Sequence, residues 1–434
     1  MKIWQRAVSM AEQTPDQRNR YVDLLRALSI IAVVLGHWIM AAPSFQSNSA
    51  HMQHLLDVQP WSRWLTWVFQ VMPVFFFVGG FSNGVSWESA KQKSLSYGAW
   101  LDSRIRRLLG PTIPLIILWV ILAIVGSLTN VHPQFISVGS QVSLVPVWFL
   151  AIYFVIVLLV PITRYAWHRF GFASIVVPLV LAVLGDWIFF NTPFTWFGWF
   201  NYLFIWGAVH QFGYAWQQAK TPKLLGSLVM SGIGLLSLIC LTKYGSYPLS
   251  LVGVPSQELS NTTPPKLPLL ALAAAQIGLL LAFERPVRTW LSRKRPWALT
   301  VMVNGFIMPV FLWHSTVMML LIALSFWLSP SLLLALPGSA DWWAVRPVWV
   351  FFYLLMMLVF LPLFVWSEKA VSAGQRCPKS VGLCLFGALL ISVGLALLAA
   401  GGVVGDGWLG VNWLACSLPP LGWAIVTLTS SPKR

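Results

Sequence analysis

Uninterrupted apolar runs of about twenty residues recur through this chain, and nothing else in it narrows the possible folds so far. A bilayer core takes about 20 residues of helix. Inside hydrocarbon only helices and closed barrels satisfy every backbone N–H and C=O. Read on that basis, the sequence predicts about twelve spans, near 23–43, 63–85, 111–130, 144–163, 172–190, 198–217, 224–243, 267–284, 298–327, 345–367, 381–404 and 410–429. The expected fold class is an all-α polytopic transmembrane helical bundle. Pro111, Pro161, Pro286, Pro296 and Pro347 fall near span ends, where a missing N–H costs little. Charged residues make up 9% of the chain, against about 25% in a soluble domain. That supply cannot wet a globular surface, so a soluble enzyme, a secreted disulfide scaffold and a disordered chain are excluded. Cys240, Cys377, Cys384 and Cys416 have neither metal-ligand nor disulfide-like spacing. The first run follows a twenty-residue polar lead and carries Asp23, Arg26 and His37, which no cleavable signal would.

Charge placement orients the bundle. Of the 28 Lys and Arg, all but Arg26, Arg63, Lys243, Lys266 and Arg346 fall on alternate connections and on both termini. The positive-inside rule then puts both termini in the cytoplasm. The net charge of +16 is a consequence of this topology and of contact with membrane lipid, not a nucleic-acid footprint. The longest outer segments are 44–62, 131–143, 244–266 and 328–344; the third, rich in Pro, Ser and Asn, is either an ordered lid or a plain loop.

Ionisable groups at bilayer depth cost several kcal/mol and mark functional candidates. The first span reads Arg20-Tyr-Val-Asp23-Leu-Leu-Arg26-Ala-Leu-Ser-Ile-Ile-Ala-Val-Val-Leu-Gly36-His37. At about 100° per residue, Arg26 and His37 return to within roughly 20° of one face, separated by a rise of ~16 Å. Asp23 stands at i, i+3 from Arg26 and can pair with it. One stripe therefore carries a charge pair at the cytoplasmic mouth and an imidazole in the interior; the alternative is a snorkelling Arg26 and a His37 that merely bonds a neighbouring helix.

An Arg followed eleven residues later by a His in the first span resembles the membrane-bound acyltransferase-3 family, which moves acyl groups from acyl-CoA to hydroxyls. Further blocks are similar in order: Pro73-Val-Phe-Phe-Phe-Val-Gly-Gly-Phe81, Arg104-Ile-Arg106-Arg107-Leu-Leu-Gly-Pro111, Val147-Trp148-Phe-Leu-Ala-Ile-Tyr153 and Phe311-Leu-Trp-His314. The resemblance covers about residues 20–367. It implies a ten-helix acyltransferase core over 1–370, with a cytoplasmic N-terminal lead, and a two-helix C-terminal extension over 371–434. It also implies catalytic roles for His37 and Arg26, with Asp23 orienting or neutralising Arg26.

The residues suit that chemistry in their own right. Arg104 and Arg107, at i, i+3 on a helical entry to the third span, present guanidinium forks suited to phosphate oxygens. Acyl-CoA, acetyl-CoA in particular, is the expected donor co-substrate. The alternative for these arginines is anchoring against anionic lipid. Arg106 is an extra Arg in the family's Arg-x-x-Arg box and leaves open which pair meets phosphate. A hydroxyl acceptor must lose its proton as it attacks the thioester, and an imidazole titrates in the right range for a general base. Trp148, His314, Gln70 and Ser82 complete a candidate substrate pocket, and His210, Gln211, Gln276 and Asn304 read chiefly as interhelical hydrogen-bonding residues.

Two motifs are decoys. Gly80-Phe-Ser82-Asn-Gly84 fits G-x-S-x-G, which has mechanical meaning only at a strand-to-helix elbow; here it ends a membrane helix. His51, His54 and Asp57 have metal-like spacing on the outer side, but an amphipathic surface turn explains them and no metal is expected. The expected protein is thus a multi-pass acyltransferase of a bacterial cytoplasmic membrane. It would pass a short acyl group, acetyl foremost, from acyl-CoA to a hydroxyl of a carbohydrate or glycolipid. The rivals are a transporter or flippase with a midplane polar site, although no second copy of the Arg-to-His stripe is found, and a non-catalytic scaffold.

Overall fold

The computed structural model describes residues 2–15, 18–46, 49–329, 333–372, 376–378, 380–428 and 430–432. After the amphipathic α1 (Lys2–Glu12) comes α2 (Arg20–Met40), whose start is capped by Asn19 accepting from the N–H groups of Tyr21 and Val22. A hairpin of β1 (Ala41–Gln46) and β2 (Ser49–His54), paired antiparallel, leads into the short α3 (Leu55–Val58) and α4 (Thr66–Phe69). There follow α5 (Met72–Gln92), α6 (Tyr97–Leu108), α7 (Thr112–Leu128), α8 (Pro133–Leu144), α9 (Val147–Leu158), α10 (Val160–Phe170) and α11 (Ala173–Asn191). Then come α12 (Asn201–Gln217), α13 (Leu224–Tyr244), α14 (Leu267–Leu291), α15 (Lys294–Gly305), α16 (Ile307–Leu328) and α17 (Ala340–Ser372). The chain closes with β3 (Arg376–Pro378), α18 (Val381–Gly401), α19 (Trp413–Leu428) and β4 (Ser430–Pro432).

The all-α polytopic bundle is the observed architecture. Among the described residues eight helical stretches are long and apolar enough to cross a membrane, or ten if each of two bent pairs is one span. The remaining two expected spans are α12 and α19, of 17 and 16 residues. At 1.5 Å per residue each reaches about 25 Å, short of the ~30 Å hydrocarbon core.

Several expected spans are broken, and proline accounts for most of the breaks. α6 and α7 meet at 43° where Gly110-Pro111 interrupts the ladder, and α8 and α9 meet at 40° before Val147, after Pro146. A proline has no N–H to donate and disfavours helix in the residue before it. The expected span 144–163 is therefore α9 plus the first turn of α10, and the expected outer loop 131–143 is mostly helix α8. The expected span 63–85 is short turns to Phe69 and then α5, which starts at Met72 with Pro73 in its first turn. The expected span 298–327 breaks at Phe306 between α15 and α16.

The central crossing is α5 on α12. Gly80 lies against the backbone carbonyl of His210 and Gly213 against that of Phe77, so a Cβ at either would collide with backbone. Small residues let two helices approach closely in lipid. Stacked rings of Phe76 on Trp206 (4.7 Å) and Phe77 on Trp216 (4.8 Å) fill the space beside that crossing. α13 and α17 form part of the rim, exposing Leu225, Leu236, Phe351 and Val359 as lipid-facing positions.

The segment 244–266, expected on the outer side, is an ordered cover tied to the bundle. Trp67 Nε1 donates to the Leu249 carbonyl (2.9 Å), Gln70 Nε2 to that of Leu251 (3.0 Å), and Leu251 N–H donates to Thr66 Oγ1 (2.9 Å). Asn261 Nδ2 bonds the carbonyls of Pro248 and Ser250, and Lys266 is buried over the Phe189 ring at 4.0 Å. α18 and α19 pack on each other and along the flank made by α6 to α9, with Trp423 covering Gly110.

Candidate active site

The continuous α2 carries Asp23, Arg26 and His37 on one element, so the helical register expected from spacing holds. Its inner end meets α16. His37 Nδ1 lies 2.8 Å from His314 Nε2, the two rings stacked with centroids 5.1 Å apart. His314 Nδ1 lies 2.8 Å from the Phe311 carbonyl oxygen, and Trp38 Nε1 donates to the His314 carbonyl at 3.1 Å. A carbonyl only accepts, so His314 Nδ1 carries its proton and the neutral ring offers Nε2 as acceptor. His37 Nδ1 must then be the donor, which leaves the lone pair of a neutral His37 on Nε2. The end of the same helix is pinned by Arg346, whose Nη2 donates to the carbonyls of Trp38 (2.6 Å), Ile39 (3.1 Å) and Ala41 while its guanidinium lies 4.4 Å over the Trp342 ring. A cation there meets the carbonyls a helix C-terminus leaves unpaired.

At the other end of α2 the arginines gather. Arg26 Nη2 donates to Ser82 Oγ (3.0 Å) and its Nη1 lies 3.6 Å from Asp23, which also holds Arg18 at 2.6 Å. Arg104 donates to Ser86 Oγ, a hydroxyl that also accepts from Trp100 Nε1 at 2.9 Å. Arg104 and Arg107 are both close enough to Arg26 and Tyr153 to interact with them electrostatically. Arg106 points elsewhere: it is buried in an ion pair with Asp102 (3.0 Å) with its guanidinium 5.4 Å from the Trp423 ring. The extra arginine is thus a strut towards α19, and of the three arginines in the box only Arg104 and Arg107 stand beside Arg26 and Tyr153. Among the described residues Asp23 is the one acid within ion-pair distance of Arg26, Arg104 or Arg107, and it is shared with Arg18, so positive charge is in excess there.

Arg26 and His37 are about 16 Å apart along the helix by rise, and a run of ring contacts links their surroundings. Tyr153 touches Phe149 (5.3 Å), Phe149 touches Phe75 (5.3 Å) and Phe311 (5.9 Å), and Phe311 touches His314 (6.4 Å). Beyond this layer His37 faces a cavity of ≈ 1870 Å³ that extends to the segments 44–62 and 244–266, where His54 and Pro255 also line it.

The other candidates divide. Trp148 and Gln70 line the cavity, as does Phe311. Gln70 and Gln276 hold the break before α5, Gln276 Nε2 donating to the carbonyls of Trp67 (3.2 Å) and Gln70 (3.1 Å). Asn304 Nδ2 bonds the Asp23 carbonyl at 2.9 Å. Ser82 sits mid-helix as the partner of Arg26, and Gly84 packs on Tyr214 and Gln217, so the G-x-S-x-G pattern is a packing pattern here. The side chain of His51 lies outside the described residues, as does that of Cys377. Asp57 accepts from Ser256, and His54 Nδ1 accepts from Leu56 N–H; burial holds the His54 imidazole below the usual histidine range. Among the described residues no three His, Cys, Asp or Glu gather as metal ligands.

Four features escaped the sequence reading. Asn83 Nδ2 reaches both Tyr153 Oη and His210 Nε2, each at 3.1 Å. Glu88 pairs with the buried Arg164, which also bonds Gln217 Oε1 at 2.6 Å. Arg346 was legible only as an outer-side exception to the charge rule. The fourth is the His37–His314 bond, since both residues were singled out but nothing in the sequence joins them.

Residues 19–366, well over half of the chain, match the family model described as an acyltransferase domain. The matched stretch includes α2, the arginine cluster and His314, and it ends in α17, before α18 and α19. No curated protein and no solved structure matches the chain.

Proposed function

The chain belongs to the membrane-bound acyltransferase-3 family, and from that premise we propose a transfer centred on His37. The donor is a cytoplasmic acyl-CoA, acetyl-CoA first among them, and the acceptor is a hydroxyl of a carbohydrate or glycolipid at or across the cytoplasmic membrane. The observation that carries this reading is the hydrogen-bonded series His37–His314–Phe311 carbonyl, which leaves His37 Nε2 as a free base on the wall of a large cavity. Residues 1–370 form the catalytic core, and 371–434 add a helix pair to its flank.

The proposed steps are these. Arg104 and Arg107, with Arg26 behind them, hold the donor's phosphates by charge-assisted bonds. The pantetheine arm runs along α2 past the Tyr153 and Phe149 rings, so the thioester reaches His37. The acceptor oxygen attacks the thioester carbonyl carbon and its proton passes to His37 Nε2. The imidazolium keeps its Nδ1–H on His314. As the carbon–sulfur bond breaks, the sulfur leaves as thiolate and takes the proton back from Nε2, giving free CoA and the ester. Arg26, a helix-length from the imidazole, acts on the donor rather than on the reacting carbonyl, and Asp23 sets its direction.

The test is CoA release from acetyl-CoA by the protein in lipid nanodiscs, with and without glycan or glycolipid acceptors. His37→Ala should abolish release while acetyl-CoA still binds, and Arg104→Ala/Arg107→Ala should weaken acetyl-CoA binding. Release that persists in His37→Ala overturns the assignment of the base. Failure of wild-type protein to bind acetyl-CoA at all overturns the donor, and favours a transporter.

A further inference from the structure

The cavity beyond His37 is far larger than an acetyl group and a hydroxyl require. Its ≈ 1870 Å³ compares with roughly 300–1,000 Å³ for ordinary small-molecule pockets. Much of its wall is Trp119, Trp148, Phe149, Met318, Met319 and Phe326. Polar side chains on that wall are largely spent on the protein itself. Gln70 donates to the Leu251 carbonyl and accepts from Met72 N–H, Thr66 donates to the Arg63 carbonyl and accepts from Leu251 N–H, and Tyr202 Oη donates to the Thr262 carbonyl. A run of sugars filling the space beyond His37 would lose water from many hydroxyls and find few partners, at a cost of about 1–3 kcal/mol for each one left unpaired. A hydrocarbon chain needs no partner and gains from leaving water, and the two methionines supply a wall that adapts to its shape.

One side of the cavity comes from α18, where Ala396, Ala399 and Ala400 line it. Larger side chains at these positions would narrow the space. This helix lies outside the stretch that matches the acyltransferase domain, so the added helix pair shapes the substrate space of the core.

We propose that this cavity holds a long hydrocarbon chain whose reacting end lies at His37. The chain belongs to a lipid-linked acceptor or to a long-chain acyl donor. The inference rests on the reading of His37 as the transfer centre only for which end of the chain reacts.

Two photoaffinity arms separate the sources: dodecyl glucoside and dodecanoyl-CoA, each with a diazirine at the chain end, are added to the protein in nanodiscs and cross-links are mapped by peptide mass spectrometry. At least one probe should label the peptides of Met318, Met319 or Ala399 several-fold above the lipid-facing α13, and the unlabelled parent compound should compete. The arm that labels identifies the source. Ala399→Trp should cut that labelling about five-fold or more, with Ala399→Leu as the milder variant if the tryptophan protein does not fold. His37→Ala should keep the labelling and lose CoA release. Labelling no higher than that of α13 in both arms, labelling indifferent to a folded Ala399 variant, or competition by methyl glucoside as strong as by dodecyl glucoside overturns the inference. CoA release that survives His37→Ala alongside intact labelling instead overturns the reading of the base and leaves the hydrocarbon site standing.

Discussion

Replacing His314 by alanine removes the acceptor of the 2.8 Å bond from His37 Nδ1 without touching the backbone carbonyl to which Trp38 bonds. In the resting enzyme that bond joins two neutral rings and is worth about 1 kcal/mol, while in the transition state it supports an imidazolium and is worth about 1.5–3 kcal/mol. The difference, about 0.5–2 kcal/mol, slows kcat by roughly 2- to 30-fold at 1.36 kcal/mol per decade. His37→Ala, which removes the base itself, should cost about 10²–10⁴-fold. The double variant should then be no slower than His37→Ala, because groups that act as one unit are not additive. His314→Gln, whose amide oxygen can accept in place of Nε2, should recover most of the rate. The assay is CoA release in nanodiscs at saturating donor, with KM for acyl-CoA expected to stay within about two-fold. A His314→Ala rate indistinguishable from wild type, or a double variant slower by the product of the single effects, would refute the shared role.

The three arginines of one box should separate by phenotype. Arg104→Ala and Arg107→Ala should each raise KM for acyl-CoA, with a dependence on salt, whereas Arg106→Ala should leave KM alone and lower the stability of the fold, because a buried guanidinium packed between Asp102 and Trp423 is lost; donor titrations and thermal unfolding read the two. Gly80→Ala forces a methyl into the His210 carbonyl and should lower stability by about 1–3 kcal/mol or more, visible as an earlier unfolding midpoint in detergent. Burial holds Lys266 down to about 8 from its ordinary 10.5, against the opposing pull of Asp186. Between those two pH values the unfolded chain binds the extra proton, so stability should rise with pH across the window; in Lys266→Met that component of the rise should disappear from the difference between the two unfolding curves.

How far the sequence reached follows from which properties are local. The length of an apolar run decides whether a segment can cross a bilayer, so the all-α bundle and most of its helices were legible. Asp23, Arg26 and His37 stand in fixed register on one helix because 3.6 residues make a turn whatever surrounds it. The same periodicity put Arg104 and Arg107 together, and Pro111 marked the start of a span, whereas the bend after Pro146 fell inside an expected span and went unread. What stands on two helices at once was not legible. His37 and His314 are 277 residues apart, and their bond depends on how α2 and α16 are rotated against each other. That rotation comes from packing across the whole bundle, including a crossing at Gly80 and Gly213 that no single helix encodes. For the same reason only the tertiary structure turned Arg106 away from its neighbours, put Arg346 on the end of α2 and made Ala396, Ala399 and Ala400 into a cavity wall. Helix periodicity fixes which residues share a face; close packing between helices decides what each face meets.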